Sequence, residues 1–202
     1  MSFKTEQEEF WAAEFGDEYI DRNREWKNNI PLFSRILKMT KNVNSVIEFG
    51  CNIGLNLKAL NLLLPNSKLT GVEINKKASD ILNQLKEVEV INQSIFNYKV
   101  EKKFDMSMIK GVLIHISPEM LNIVYEKLYQ SSNRYILVAE YYNPTPVTIS
   151  YRGNSDRLFK RDFVGEIMDK YPDLTLVDYG FVYHRDNNHP QDDVTWFLLE
   201  KK

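Results

Sequence analysis

The chain is predicted to fold as an α/β domain, with a doubly wound, mostly parallel sheet, helices on both faces and an antiparallel last strand. Three observations predict it. From residue 43 onward, apolar runs of strand length alternate with segments of helical length, the pattern of parallel strands joined by helical crossovers. The first of these strands runs directly into a turn, Gly50-Cys51-Asn52-Ile53-Gly54, that opens a helix. The last two apolar runs are separated only by a polar loop containing Asn187-Asn188-His189-Pro190, which leaves no room for a helix and makes the pair antiparallel.

Before the alternation begins, residues 6–23 read as one amphipathic helix. Phe10, Ala13 and Glu14 stand near one another on it, and Trp11, Phe15 and Tyr19 recur at helical spacing. A second helical stretch follows Pro31, which suits a first-turn position, and carries Leu32, Ile36 and Leu37 on one face. The strands then fall at residues 45–49, 68–72, 88–91, 104–109 and 134–140, with crossover helices at 53–64 and 76–86. Ser117 and Pro118 read as cap and first-turn residue of a further helix, with Glu119 in its first turn. A helix at about 160–171 precedes the closing strands at 174–183 and 194–200. The sheet is therefore expected to have seven strands in one structural domain, with residues 1–42 as an N-terminal helical lid packed on a core of residues 43–202.

Composition narrows the function classes. A chain of 202 residues with 43% hydrophobic residues can bury one sizeable core. Its 26 basic and 28 acidic residues nearly cancel, so no overall field draws it to a polyanion or an acidic bilayer, and neither nucleic acid nor membrane is an expected partner. One cysteine, Cys51, can form no internal disulfide, and no Cys/His cluster has zinc spacing, so no metal is expected. The first residues are too acidic and polar for a signal peptide, and no apolar run approaches membrane-spanning length; a cytoplasmic location is expected.

The chemistry is written at the strand ends. Gly50 and Gly54 let backbone approach a ligand at a helix N-terminus, with Asn52 and Asn56 beside them. A dinucleotide fingerprint wants three glycines, and its pyrophosphate would be repelled by Glu48, whose carboxylate argues for a cationic ligand. Glu73 closes the second strand roughly twenty residues past the loop, where an acid can accept both hydroxyls of a ribose. Past the fourth strand come Lys110, Gly111 and His115, and past the fifth Glu140, Tyr141, Tyr142 and Asn143. Tyr151, Arg152, Arg157 and Arg185 concentrate basic and hydroxyl groups in loops expected to flank an acceptor, and suit a polar, anionic small molecule.

The loop with its preceding acid resembles motif I of the Rossmann-like class I methyltransferases. That resemblance implies S-adenosylmethionine as cofactor, with S-adenosylhomocysteine as product. It gives Glu48 a part in orienting the loop or meeting the methionine moiety, Ile74 a place against adenine, Ser94 and Ile95 the adenine edge, and Lys110 and Gly111 the methionine end. Four segments narrow the likeness further: residues 9–23, Glu48-Phe49-Gly50-Cys51-Asn52-Ile53-Gly54-Leu55-Asn56-Leu57, Lys110-Gly111-Val112-Leu113-Ile114-His115-Ile116 and Glu140-Tyr141-Tyr142-Asn143-Pro144-Thr145-Pro146-Val147. With these the chain resembles, over nearly its whole length, the methylases associated with pseudaminic acid biosynthesis. Cys51 departs from the smaller residue usual there. The resemblance implies a sugar or sugar-nucleotide acceptor and a lid over the cofactor made by Tyr19, Arg22 and Asn23.

An acceptor hydroxyl needs a base more than a free amine does, and His115, Glu140, Tyr142 and His184 are the candidates; for His115 a structural or cofactor-side role is the competing reading. A non-catalytic module that keeps the cofactor site and serves a glycan-assembly complex is the second reading of the whole chain. A nicotinamide oxidoreductase is disfavoured by the two-glycine loop and the antiparallel end of the sheet.

Overall fold

A computed structural model describes residues 3–20, 25–151 and 154–202, with the backbone alone for 150, 151 and 154–157. Helices α1 (Glu6–Ala12), α2 (Glu14–Ile20) and α3 (Asn29–Leu37) lead into β1 (Ser45–Phe49), α4 (Leu55–Leu63), β2 (Lys68–Glu73), α5 (Lys76–Leu82) and β3 (Val88–Asn92). There follow β4 (Phe104–Lys110), α6 (Leu121–Ser131), β5 (Ser132–Glu140), β6 (Val147–Tyr151), β7 (Asn154–Lys160), α7 (Phe163–Lys170), β8 (Leu174–Val182) and β9 (Val194–Lys201). Seven strands form one sheet in the order β3-β2-β1-β4-β5-β9-β8, with β9 alone antiparallel to its neighbours.

Strands β1 and β4 are central and read as nearly continuous apolar runs because both of their faces are covered. On one face Leu32, Phe33 and Ile36 of α3, Leu57 and Leu60 of α4 and Leu82 of α5 pack on Val46, Met106, Met108 and Leu137. On the other, Val124 and Leu128 of α6 and Phe163 and Ile167 of α7 pack on Ile47, Ile109, Ile136 and Val138. Alternation along each strand thus sends successive side chains into two separate cores.

Four local expectations need correction. The first helix is broken: Ala13 is extended, and Gly16 lets α2 fold back so closely that a Cβ there would lie 2.0 Å from the Trp11 carbonyl oxygen. Ser117 forms no side-chain cap; Pro118–Met120 make a 3-10 turn before α6 begins at Leu121. The third is α7, which starts at Phe163 because Asp162 caps it, accepting from the Gly165 N–H at 2.8 Å. Finally, residues 147–160, read as loop, form an antiparallel hairpin of β6 and β7 outside the main sheet.

Candidate functional site

The C-terminal ends of β1, β2 and β4 open into a cavity of about 700 Å³, the place where the strand order reverses in an open α/β sheet. Its floor is the turn after β1. Gly50 (φ +72°) and Gly54 (φ +76°) are left-handed, as is Asn52 between them (φ +48°). A Cβ on Gly50 would come within 2.5 Å of a Val112 methyl, so this residue is required both by backbone conformation and by close approach. The Gly50 and Cys51 N–H groups both donate to the Val72 carbonyl, tying the turn to β2. Cys51 is buried beside it, and burial raises its thiol well above the ordinary range, which makes it an inert packing group.

Glu73 is held between two backbone donors. Its oxygens accept from the N–H groups of Asn52 and Asn75, each at 2.7 Å, while the side chain lines the cavity. Burial raises its pKa and these bonds oppose the rise. Each oxygen keeps a lone pair for a further donor. Asn75 caps α5 through Ala78 and reaches back with its amide to Asp17 (2.8 Å) and to the Trp11 carbonyl, fastening α1 and α2 above the same cavity. Glu8 of α1, also buried, accepts from Ser94 Oγ, and Ser94 in turn accepts from the Phe96 N–H.

At the other end, Lys110 lines the cavity with Gly111, and burial lowers its pKa against the pull of Glu48, Asp192 and Glu140. The two glutamates lie beneath this floor rather than on it. Burial pushes Glu48 up to about 8, with Asn56 donating to one oxygen at 2.6 Å. Glu140 is pushed up to about 7, and one of its oxygens accepts from both the Val112 and Leu113 N–H groups at 2.9 Å. The other oxygen of each glutamate is buried without a hydrogen-bond partner among the described residues. Glu48 anchors Asn56 at the start of α4, and the charge of Lys110 opposes the rise in its pKa.

Of the residues singled out from sequence, Tyr19, Gly50, Asn52, Asn56, Glu73, Ile74, Ser94, Ile95, Lys110, Gly111, His115 and His184 line this cavity. Glu48, Gly54 and Glu140 support it from below. Tyr142 lies off it, its ring 6.0 Å from that of Phe197, and Arg185 is exposed and also off it. Arg22, Asn23 and Arg152 lie outside the described residues, as do the side chains of Tyr151 and Arg157. His115 is buried with its ring 4.7 Å from Trp11, and His184 pairs through Nδ1 with Asp193 at 2.8 Å.

Several lining residues carried no signal in the sequence. Thr5, Gln7 and Glu8 sit in an unremarkable polar stretch, and the helical spacing of Trp11 does not by itself point to a site. Asn28 and Asn29, Gln191 and Asp192, and Leu158 come from three separate segments that meet only in three dimensions. Gln191 donates to the Asn28 carbonyl at 2.9 Å and Asn28 to the Pro190 carbonyl at 3.2 Å, joining the start of α3 to the β8–β9 loop. Among the described residues, no group of three His, Cys, Asp or Glu side chains is placed to hold a metal. No helix among them is long and apolar enough to cross a membrane.

No protein-family model and no curated protein matches the sequence. Solved structures do match. An S-adenosylmethionine-dependent methyltransferase from Clostridium acetobutylicum superposes with a TM-score of 0.65 at 11% identity, covering 92% of this chain and 95% of that one. An amino pentose methyltransferase from Micromonospora echinaspora, bound to S-adenosylmethionine, gives 0.66 at 10% identity, with 93% and 96% covered. Magnesium protoporphyrin IX methyltransferase from Synechocystis, bound to S-adenosylhomocysteine, gives 0.67 at 11% identity, with 96% and 97% covered. The fold is that of the Rossmann-like methyltransferases.

Proposed function

We propose that the protein is an S-adenosylmethionine-dependent methyltransferase whose acceptor is a small polar molecule, a sugar or sugar nucleotide of nonulosonic (pseudaminic) acid or surface-glycan biosynthesis. The observation that carries the donor assignment is Glu73, a buried carboxylate fixed by two backbone N–H groups at the end of β2, with Gly50 and Ile74 on either side of it in the cavity. The neighbours of this fold with bound S-adenosylmethionine or S-adenosylhomocysteine support the same reading. The residues present fit such a group: a Cβ on Gly50 would strike Val112, whereas above Gly111 nothing lies within 4 Å of where a Cβ would be. The sugar acceptor rests on the sequence resemblance and on the polar loops around the mouth of the cavity.

In this reading Glu73 accepts the ribose hydroxyls, Ile74 and Ile95 flank the adenine, and Ser94 with Glu8 provides acceptors at its edge. Lys110, Gly111 and Asn56 hold the methionine end, and Tyr19 and Trp11 close over it as part of the N-terminal lid. When bound, the sulfonium supplies the methyl group. The protein's own task is then to hold the acceptor in line, exclude water and take up a proton. His115 and His184 are the cavity-lining side chains suited to the proton; Glu140, engaged by the N–H groups of the turn that carries His115, is a positioning residue.

Calorimetric titration with S-adenosylmethionine, S-adenosylhomocysteine and NAD tests the donor site. Micromolar binding of the first two, weakened about tenfold or more in Glu73→Ala, is expected. Absence of binding to both sulfur compounds sinks the reading, and methyl turnover on a screen of sugar nucleotides decides it against a non-catalytic module.

A further inference from the structure

Where β8 and β9 part, beyond their last pair Val182 and Val194, His184 lines the cavity and faces Asp193. Its Nδ1 lies 2.8 and 2.9 Å from the two carboxylate oxygens of Asp193, and its backbone N–H donates to the first of them at 3.0 Å. These two bonds, ring first, hold the Asp193 carboxyl below the usual carboxylate range, and the charge of Lys160 acts in the same direction. A neutral imidazole so placed donates from Nδ1 and carries its lone pair on Nε2. Among the described residues Nε2 has no hydrogen-bond partner. The ring is further set by Tyr183, which meets it edge-on at 4.7 Å. Nor is the loop that carries the pair slack: the Tyr183 carbonyl accepts from the N–H groups of Asp186 and Gln191, and Gln191 reaches Asn28 before α3. His115, by contrast, is buried on the strand-end half with its ring against Trp11.

We propose that His184 is the general base for methyl transfer to a hydroxyl group, with Asp193 as its positioning residue, so that the reaction is an O-methylation; the proposal rests on the methyltransferase reading given above. An amine acceptor can arrive neutral and lose its proton to water afterwards, whereas a hydroxyl must give up its proton as the new bond forms. A histidine whose tautomer is fixed by a carboxylate, with the other ring nitrogen free toward a cavity, is the arrangement that task needs. In the step, the acceptor oxygen forms its bond to the methyl carbon while its proton passes to Nε2, and the electron pair of the broken carbon–sulfur bond stays on sulfur, which becomes a neutral thioether. The ionised Asp193 then stabilises the imidazolium. His184 is more than half exposed, so the proton can leave to solvent and restore the base. Asp192, which lines the cavity beside the pair, adds a second negative charge near the imidazolium.

Two readouts on the full chain test this. Nitrogen-15 NMR at about pH 8, above the ordinary imidazole range, with His184→Ala assigning the signal among the three histidines, is expected to show His184 with Nδ1 protonated and Nε2 bare. Asp193→Asn is expected to shift that ring toward the other tautomer. Turnover of S-adenosylmethionine is then measured on a panel of sugar nucleotides with and without a free amino group, the product being read as O-methyl or N-methyl. An O-methyl product is expected, with kcat lowered about a hundredfold or more in His184→Ala and about tenfold in Asp193→Asn, and KM within about threefold. Added imidazole is expected to restore part of the turnover in His184→Ala. The proposal is overturned by a wild-type His184 protonated at Nε2, by products methylated only on nitrogen, or by a His184→Ala turnover within about twofold of wild type. Failure of the underlying reading looks different, because the wild type itself then binds no S-adenosylmethionine or methylates nothing in the panel. Should His184→Ala fail to fold, His184→Gln gives the same readout.

Discussion

The two halves of the cavity are built in different ways. The half assigned to the donor rests on strand ends: Gly50 and Gly111 follow β1 and β4 directly, Glu73 is the last residue of β2, and backbone hydrogen bonds to Val72, Asn52 and Asn75 hold Gly50 and Glu73 in place. The other half is assembled from Asn28 before α3, Leu158 of β7 and Gln191 and Asp192 of the β8–β9 loop, none of which belongs to the parallel part of the sheet. A site on rigid elements is preorganised and general, whereas one on loops can be re-cut for another acceptor without disturbing the core. This contrast explains how one fold serves neighbours that act on substrates as unlike as an amino pentose and a magnesium porphyrin.

The most damaging test of that contrast is Gly50→Val. A β-branched residue at positive φ, facing Val112, must displace the turn that forms the donor floor. Affinity for S-adenosylhomocysteine is expected to fall about a hundredfold or more by calorimetry; retention within a few-fold would mean the turn is softer than its geometry indicates.

A second test addresses the buried acids under the floor. Glu48 and Glu140 have folded-state pKa values raised to about 8 and about 7 by burial. The folded protein therefore holds more protons than the unfolded chain between the ordinary carboxylate range and neutrality, and stability is lost as pH rises through the folded values. Thermal unfolding is expected to show the ligand-free protein less stable at pH 8 than at pH 5, by an amount on the order of 6 kcal/mol. Glu140→Gln should flatten that slope, and a slope unchanged in the variant would show that Glu140 does not carry it.

The smallest effect sharpens the division from the other side. His184→Ala removes an exposed side chain paired with Asp193 in the loop-built half of the cavity. Affinity for S-adenosylhomocysteine is expected to stay within about twofold, even where turnover falls; a large loss would show that the halves are coupled.

Much of the strand-end half of the cavity was legible because its signals are local. Strand, glycine turn and helix follow one another in a single segment, and Glu73 ends the next strand, so spacing along the chain is enough to find them. The hairpin shows the opposite case. Val147-Thr148-Ile149 alternates as a strand should, yet its partner is a second short segment outside the main sheet, and no crossover marks the pair. Glu140 and Tyr142 sit two apart, and both looked available as bases. Only packing shows the first engaged by backbone N–H groups below the floor and the second beside Phe197.

By itself, then, the sequence determined the seven strands of the main sheet, the turn after β1 and the acid that ends β2, since each depends on backbone conformation and periodicity within a few residues. Tertiary structure alone decided that Glu8 reaches Ser94, that Asn75 reaches Asp17 and that Asn28 meets Gln191. The physical reason is range. Burial and pairing between residues far apart in the chain depend on how whole elements pack, and no local pattern encodes that.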